Sequence, residues 1–179
     1  MLQVIVKNER SDNMFIRYLN EDDVEQYRAL RLTSLKTDPN GFASTYDREI
    51  KLPMDAFKSR IASSSEKFTM GTFEHEKLIC MATFYSETLE KVQHKGNLVG
   101  VYCHVDFRRQ GLAQQLIHNI IDIVTQQGKV KTIALSVLSD NYHAIALYEK
   151  LGFRRYGIEP KSLFDGNVYY DEDLMCLEL

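Results

Sequence analysis

The sequence predicts an α/β (α+β) fold in which helices cover the faces of a mixed β-sheet. Two observations lead to this prediction. Strand-like and helix-like hydrophobic periods follow one another in the order β, α, α, β, β, β, α, β, α, β, β. The 179 residues, 44% apolar and 26% charged, have the composition of one ordinary globular domain. We therefore expect a single domain over residues 1–179, with residues 1–13 as an extra strand or tail.

The first half of the chain is expected to supply a strand, two helices and three more strands. Residues 14–19 form the first strand, and Asn20 or Asp22 caps the helix that follows. Pro39 and Gly41 end that helix. A short helix is predicted over 54–61, and strands are predicted over 67–73, 78–86 and 97–105.

The second half alternates helices and strands. An apolar stripe from Leu112 to Val124 predicts a helix that begins near Gln110 and ends at Gly128. The nearly continuous apolar run 131–138 is typical of a strand that is buried on both faces. A helix over 141–151 ends at Gly152, and two strands around the turn 164–167 complete the chain.

Composition excludes several classes of function. A net charge of −3 with a pI near 6 argues against a general nucleic-acid binder. No apolar run reaches the length of a membrane span, and the N-terminus lacks a signal-peptide pattern. Cys80, Cys103 and Cys176 are far apart in sequence and form no metal motif. We therefore expect a cytoplasmic protein with no metal, no nucleic-acid partner and no membrane partner.

The stretch DFRRQGLAQQL, residues 106–116, joins an apolar strand to an amphipathic helix. Such a junction leaves backbone N–H groups unpaired at the positive end of the helix dipole, where an anion can bind. Gly111 and Ala113 are small enough for a ligand to approach the backbone, and Arg108 and Arg109 add positive charge. The stretch fits a pyrophosphate cradle, although RRQG alone fits a turn with two solvated arginines equally well.

Two motifs resemble the GNAT N-acetyltransferase superfamily. RRQGLA resembles its (Q/R)-x-x-G-x-(G/A) loop, which binds the pyrophosphate of acetyl-coenzyme A in that family. The stretch NYHAIALYEKLGF resembles its last conserved segment, in which an Asn contacts the coenzyme and a Tyr lies near the thioester sulfur. Here these are Asn141 and Tyr148, two helical turns apart and therefore on one helix face with Ala144.

The resemblance covers about residues 14–179. It implies the GNAT fold, a central mixed, mostly antiparallel twisted sheet of six to seven strands flanked by about four helices. It also implies acetyl-coenzyme A as co-substrate. The coenzyme-binding residues that it implies are Val101, Tyr102, Cys103, Arg108, Arg109, Gln110, Gly111, Leu112, Ala113, Asn141, Ala144 and Tyr148.

The implied chemistry is direct attack of an amine on the thioester. The coenzyme's amide-containing arm can pair with the backbone of residues 101–103 like an added strand, and an N–H there can stabilise the oxyanion. Tyr148 is the expected catalytic residue, because a phenol with a pKa of about 10 can protonate a thiolate whose usual pKa is about 8.5.

The residue that deprotonates the amine is left open. Some relatives carry Glu or His where this chain has Asn97 and Val99, and N-terminal acetyltransferases often carry Glu where it has Ser136. Ordered water, a residue elsewhere such as Glu49, or proton loss before binding are the alternatives.

Two other clusters contain side chains that can take part in catalysis or binding. Cys103 and His104 are neighbours on a strand and point to opposite faces, so they do not form a nucleophile–base pair. The acidic run 169–173 can attract a cationic amine, although such runs are more often solvated.

The leading hypothesis is N-acetylation of a primary amine of a small molecule or peptide. The alternatives are a protein N-terminal (ribosomal-protein-like) acetyltransferase, which Ser136 disfavours, and a non-catalytic coenzyme-binding sensor. A homodimer is compatible with the sequence, and the acceptor is unassigned.

Overall fold

The computed structural model describes residues 6–7 and 13–179. A single sheet of eight strands in the order β1-β2-β3-β4-β5-β6-β8-β7 runs through this part of the chain. The strands are β1 Val6–Lys7, β2 Met14–Tyr18, β3 Lys67–Glu74, β4 Lys77–Ser86, β5 Lys95–Cys103, β6 Thr132–Leu138, β7 Arg154–Phe164 and β8 Tyr169–Glu178. Of the residues predicted as an added strand or tail, 1–5 and 8–12 lie outside the described residues.

Five α-helices occur in the described residues: α1 Val24–Thr37, α2 Tyr46–Glu49, α3 Met54–Ile61, α4 Leu112–Gln127 and α5 Tyr142–Lys150. Asn20 caps a short 3₁₀ turn, Glu21–Asp23, which leads into α1. The sequence predicts four of these helices but not α2, which is a single turn and too short to show a hydrophobic period.

The pairing confirms a mixed, mostly antiparallel sheet. Among the described strands, β5 and β6 form the one parallel pair. That pairing joins residues 95–97 to residues 132–134 and then stops, although both strands continue. The two strands therefore separate, and the sheet opens between them. The register of β5 against β4 also shifts near Gly100, whose φ of 62° is positive.

Helices cover both faces of this sheet, as the sequence predicts. One apolar core packs α4 and α5 against the strands through residues such as Leu116, Ile120 and Tyr148. The other packs α1 and α3 through residues such as Leu30 and Phe57. None of the helices described over residues 13–179 combines the length and apolar character needed to cross a membrane.

Two of the three cysteines, although far apart in sequence, meet in the sheet. Cys80 of β4 and Cys103 of β5 are register partners with Cα atoms 4.1 Å apart, and a disulfide joins them. Cys176 is free. The antiparallel ladder brings together two residues that are 23 positions apart in sequence. In a reducing compartment this pair would be held as two thiols.

Candidate active site

A cavity of about 1240 Å³ lies where β5 and β6 separate. Its walls come from the segment after α1, the C-terminal half of β5, the loop into α4, the end of β6 and the first turns of α5. Both motifs singled out from the sequence therefore meet at one place. β5 and β6 pair over residues 95–97 and 132–134 and diverge beyond residue 97, and this divergence creates the opening.

The loop from β5 to α4 presents unpaired amides to this cavity. Gly111 is the N-cap of α4 with a φ of 77°, and Arg109 also has a positive φ, 63°. Within the described chain, the backbone N–H groups of residues 109–114 donate no hydrogen bond. They lie at the N-terminal end of a helix whose dipole favours an anion there.

Gly111 also has a conformational reason, beyond the room that it leaves for a ligand. A Cβ at this position would meet no atom within 4 Å, so the protein itself leaves the space open. The glycine is required because its positive φ turns the chain into α4, which is a backbone conformation that L-residues avoid. Ala113 is half-buried and lines the cavity.

The other side chains of the loop contribute less than the backbone. Arg108 donates to Asp38 through both terminal nitrogens, at 3.3 and 2.6 Å, and its Nε donates to the carbonyl of Cys103 at 3.0 Å. This guanidinium already has partners. Arg109 is exposed and lines the cavity, whereas Gln110 is exposed and outside its lining. The Leu112 side chain is buried in the core, so this residue can offer only its N–H.

The edge of β5 that faces β6 is unpaired beyond residue 97. Val101 and Cys103 are half-buried and line the cavity, whereas the ring of Tyr102 is buried and its hydroxyl lies 3.0 Å from Oγ1 of Thr37. The edge can accept an amide-containing chain in the manner of an added strand. The Cys103 carbonyl, however, already accepts from Arg108.

Asn141, Ala144 and Tyr148 all line the cavity from α5, as their spacing predicts. Asn141 caps the helix, because its side-chain oxygen accepts from the Ala144 N–H at 3.2 Å. The ring of Tyr148 is 7% exposed and packs edge-on against Phe153, with centroids 5.8 Å apart. Burial raises the pKa of Tyr148 to about 12. Its hydroxyl makes no hydrogen bond to any residue in the described chain.

Of the three positions where relatives carry a base, two hold side chains that already have a hydrogen-bond partner. Asn97 donates to Glu87 at 2.9 Å, and the Val99 side chain is exposed. Ser136 donates to Oε1 of Glu172 at 3.1 Å. Glu172 lines the cavity, and reasoning from the sequence did not single it out within the acidic run. Ser136 was the available signal, because its hydroxyl pairs with this carboxylate of the neighbouring strand.

Glu49 is unsuited to the role of base that was considered for it. Its carboxylate is fully buried and accepts from Arg31 at 2.9 and 3.1 Å and from Arg60 at 2.6 Å. Burial alone would raise the pKa of Glu49, but the bonds from the two arginines outweigh burial and lower it to about 2. At neutral pH this group therefore holds its arginines and has little tendency to take up a proton.

The folded protein should lose stability in acid through Glu49. Its pKa of about 2 lies below the usual 4.5, so the stabilisation is complete above pH 4.5 and is lost as the pH falls towards 2. Between pH 5 and pH 3 we expect at most about 2 kcal/mol of the free energy of unfolding to be lost through this group. Urea denaturation of the wild type and of Glu49→Gln at both pH values measures this loss in the free energy of unfolding.

The control for this prediction is Asp47→Asn, on the exposed side of the same helix turn. This variant should show the wild-type dependence on pH. Equal losses of stability in the wild type and in Glu49→Gln between pH 5 and pH 3 would show that the carboxylate is not held as described.

A second cavity, of about 690 Å³, adjoins the first. The two share the residues Phe42, Ala43, Val99 and Gly100, at the shifted register of β5. The two cavities therefore meet at this part of β5. No group of three or more His, Cys, Asp or Glu residues within the described chain is placed to hold a metal ion.

Comparison with known proteins assigns the class. A sequence profile described as "Acetyltransferase (GNAT) family" matches residues 25–153. The chain is 33% identical over 88 residues to the ribosomal protein bS18-alanine N-acetyltransferase of Salmonella typhimurium, covering 49% of this chain and 59% of that protein. The chain spans about half the length of the curated relatives it matches, 49% and 59% for two of them.

Solved structures agree on the fold. A GNAT-family acetyltransferase of Streptococcus pneumoniae superposes with a TM-score of 0.82 at 24% identity, covering 93% of this chain and 99% of that one. A Salmonella typhimurium protein solved with its cofactor acetyl-CoA gives a TM-score of 0.75 at 19% identity, with 93% and 94% covered. The chain belongs to the GNAT acetyltransferase family and has its fold.

Proposed function

We propose that this protein is an acetyl-CoA-dependent N-acetyltransferase, which moves an acetyl group to a primary amine of a small molecule or peptide by direct attack. The observation that supports this most strongly is the meeting of unpaired loop amides, an unpaired strand edge and Tyr148 in one cavity. Each of these features is suited to one part of the co-substrate. The loop amides suit the anionic pyrophosphate, the strand edge suits the amide-containing arm, and Tyr148 suits the thioester.

The loop amides of residues 109–114 would hold the pyrophosphate, because they are unpaired within the described chain and lie at the start of α4. Val101, Tyr102 and Cys103 would orient the arm through their backbone. Arg108 supports the loop by joining it to Asp38 and does not need to contact the phosphates. Arg109, Gln110, Gly111, Leu112 and Ala113 act chiefly through their backbones, while Asn141 and Ala144 form the wall on α5.

The co-substrate supplies an activated acetyl group, and Tyr148 supplies a hydrogen bond to its departing sulfur. With a pKa of about 12, the phenol keeps its proton at every physiological pH. Complete transfer of that proton to a thiolate of usual pKa near 8.5 would be uphill by about 5 kcal/mol. Tyr148 is therefore a donor that stabilises the developing negative charge on sulfur through a hydrogen bond and keeps its own proton.

The acceptor is best sought among cationic amines that are small or extended enough to reach the shared wall of the two cavities. A peptide N-terminus fits this description, and one relative acts on the alanine of ribosomal protein bS18. A protein N-terminal acetyltransferase is thus the second candidate. We also propose a cytoplasmic location and no nucleic-acid or membrane partner, on the basis of composition.

Release of free thiol from acetyl-CoA tests the proposal. The panel comprises polyamines, amino acids, aminoglycosides and short peptides with different N-terminal residues. We expect turnover with at least one amine. Tight binding of the coenzyme without turnover across the panel would instead indicate a coenzyme-binding sensor.

A further inference from the structure

We propose that Glu172 of β8 is the carboxylate that binds the acceptor amine and takes up its proton. This inference rests on the proposed function and supplies the base for which the sequence offers no candidate at positions 97, 99 and 136. Glu172 lines the same cavity as Tyr148 and the register shift of β5. It is half-buried, in a position where a cation arriving from solvent would lose part of its water.

Two serine hydroxyls hold this carboxylate in place. Ser136 of β6 donates to Oε1 at 3.1 Å, and Ser162 of β7 donates to Oε2 at 2.6 Å. An ionised carboxylate has about four lone-pair sites, so each oxygen can still accept a bond from an ammonium. The position where N-terminal acetyltransferases often carry Glu is thus occupied by a serine that fixes a carboxylate from the next strand.

The other carboxylates near this cavity are less suitable. Asp38 lines it but accepts two bonds from Arg108, and Asp140 lies in the exposed turn before α5. Asp173 and Glu49 are buried and paired with arginines. Within the described chain, Glu172 has no Lys, Arg or His within ion-pair distance.

The surroundings of Glu172 therefore favour a cationic ligand. Its register partners are Leu138 on β6 and Glu159 on β7, and Glu159 is exposed. The hydrogen-bond and register partners of Glu172 thus contribute two hydroxyls, an apolar side chain and a second acidic group. An ammonium placed here would be the counter-ion that the carboxylate lacks.

The step balances in protons and electrons. The ammonium gives one proton to Glu172, and the freed nitrogen lone pair forms a C–N bond to the acetyl carbon. The C–S bond breaks and its electron pair leaves with sulfur. The nitrogen then loses a second proton as the amide forms, and the sulfur gains one with the help of Tyr148. Glu172 returns its proton to solvent, so one proton is released per turnover when the amine starts as an ammonium.

The experiment compares Glu172→Gln with Glu178→Gln, a change at the exposed end of the same strand. Glu172→Asp is a second variant, which keeps the charge but shortens the side chain. Two quantities are measured for the best amine of the panel: kcat/KM for thiol release, and the Kd of the amine in the presence of saturating coenzyme A, by calorimetry. Melting temperatures and the Kd of acetyl-CoA report on folding and on the other half of the site.

We expect Glu172→Gln to lower kcat/KM at pH 7 by about 100-fold or more and to raise the amine Kd about tenfold. The Kd of acetyl-CoA should be unchanged, and raising the pH should restore activity, because the amine then arrives neutral. Glu172→Asp should retain amine binding but lose part of kcat. Glu178→Gln should match the wild type in both measurements.

If Glu172→Gln keeps both kcat/KM and the amine Kd within about twofold of the wild type, the inference is wrong while the proposed function stands. If the wild type turns over no amine, the proposed function fails, and calorimetry alone decides about Glu172. If the amine Kd depends on this carboxylate, the result supports a cation site at Glu172. If the amine Kd does not depend on it, the inference is overturned. If Glu172→Gln does not fold, Glu172→Asp is compared with Glu172→Ala. Amine binding that is no tighter in Glu172→Asp than in Glu172→Ala would likewise overturn the inference.

Discussion

Replacing Tyr148 with phenylalanine is expected to lower kcat at least about 100-fold and leave the Kd of acetyl-CoA within about twofold. Tyr148 lines the cavity and its hydroxyl has no hydrogen-bond partner within the described chain, so removing the hydroxyl leaves the ring's contact with Phe153 intact. Only the hydrogen bond to the departing sulfur disappears. Stopped-flow measurement of thiol release at saturating amine separates this step from binding.

Tyr142→Phe is the matched control, since Tyr142 is 75% exposed on the same helix. This variant should retain wild-type kcat. A Tyr148→Phe enzyme with wild-type kcat would show that Tyr148 serves only to pack α5 against the sheet. Because its pKa is about 12, ionisation of Tyr148 should produce no loss of wild-type activity below about pH 11.

Replacing Gly111 with glutamate is expected to weaken acetyl-CoA binding by at least about 100-fold. The change forces an L-residue into a φ of 77°, which costs about 1–3 kcal/mol unless the loop rearranges. It also places a negative charge at the amides that would hold a pyrophosphate. Calorimetry with acetyl-CoA measures the effect directly.

Gly128→Glu provides the comparison at the other end of α4. Gly128 has a φ of 71°, and like Gly111 it has no atom within 4 Å of its Cβ position. The two variants therefore share the backbone strain and the added charge. Gly128→Glu should lose stability but bind acetyl-CoA normally. Equal affinities in the two glycine variants would mean that the loop does not hold the coenzyme.

The parts of the site that the sequence predicts are those built from neighbours in the chain. The junction from β5 to α4 is local, so Gly111 and its unpaired amides follow from a strand, a turn and a helix in succession. Asn141 and Tyr148 share a face because they lie on one helix. Their meeting in one cavity depends on the sheet order, which the resemblance to the family implied.

The parts that the sequence does not predict depend on register. Cys80 and Cys103 become partners only because β4 and β5 pair with that alignment. Glu172 reaches Ser136 and Ser162 across two different strand pairs, and no spacing within the acidic run distinguishes it from Asp171 or Asp173. β7 also pairs with β8 through an irregular register between residues 155 and 163, which no sequence pattern indicates.

Hydrogen–deuterium exchange directly measures whether the amides of the loop before α4 hold the coenzyme. The N–H groups of residues 109–114 have no acceptor within the described chain, so they should exchange rapidly in the free protein. Adding saturating acetyl-CoA should slow their exchange at least about tenfold, whereas the hairpin turn at His75 should be unaffected. If acetyl-CoA binds and these amides still exchange as fast as in the free protein, the coenzyme lies elsewhere and the loop does not hold it.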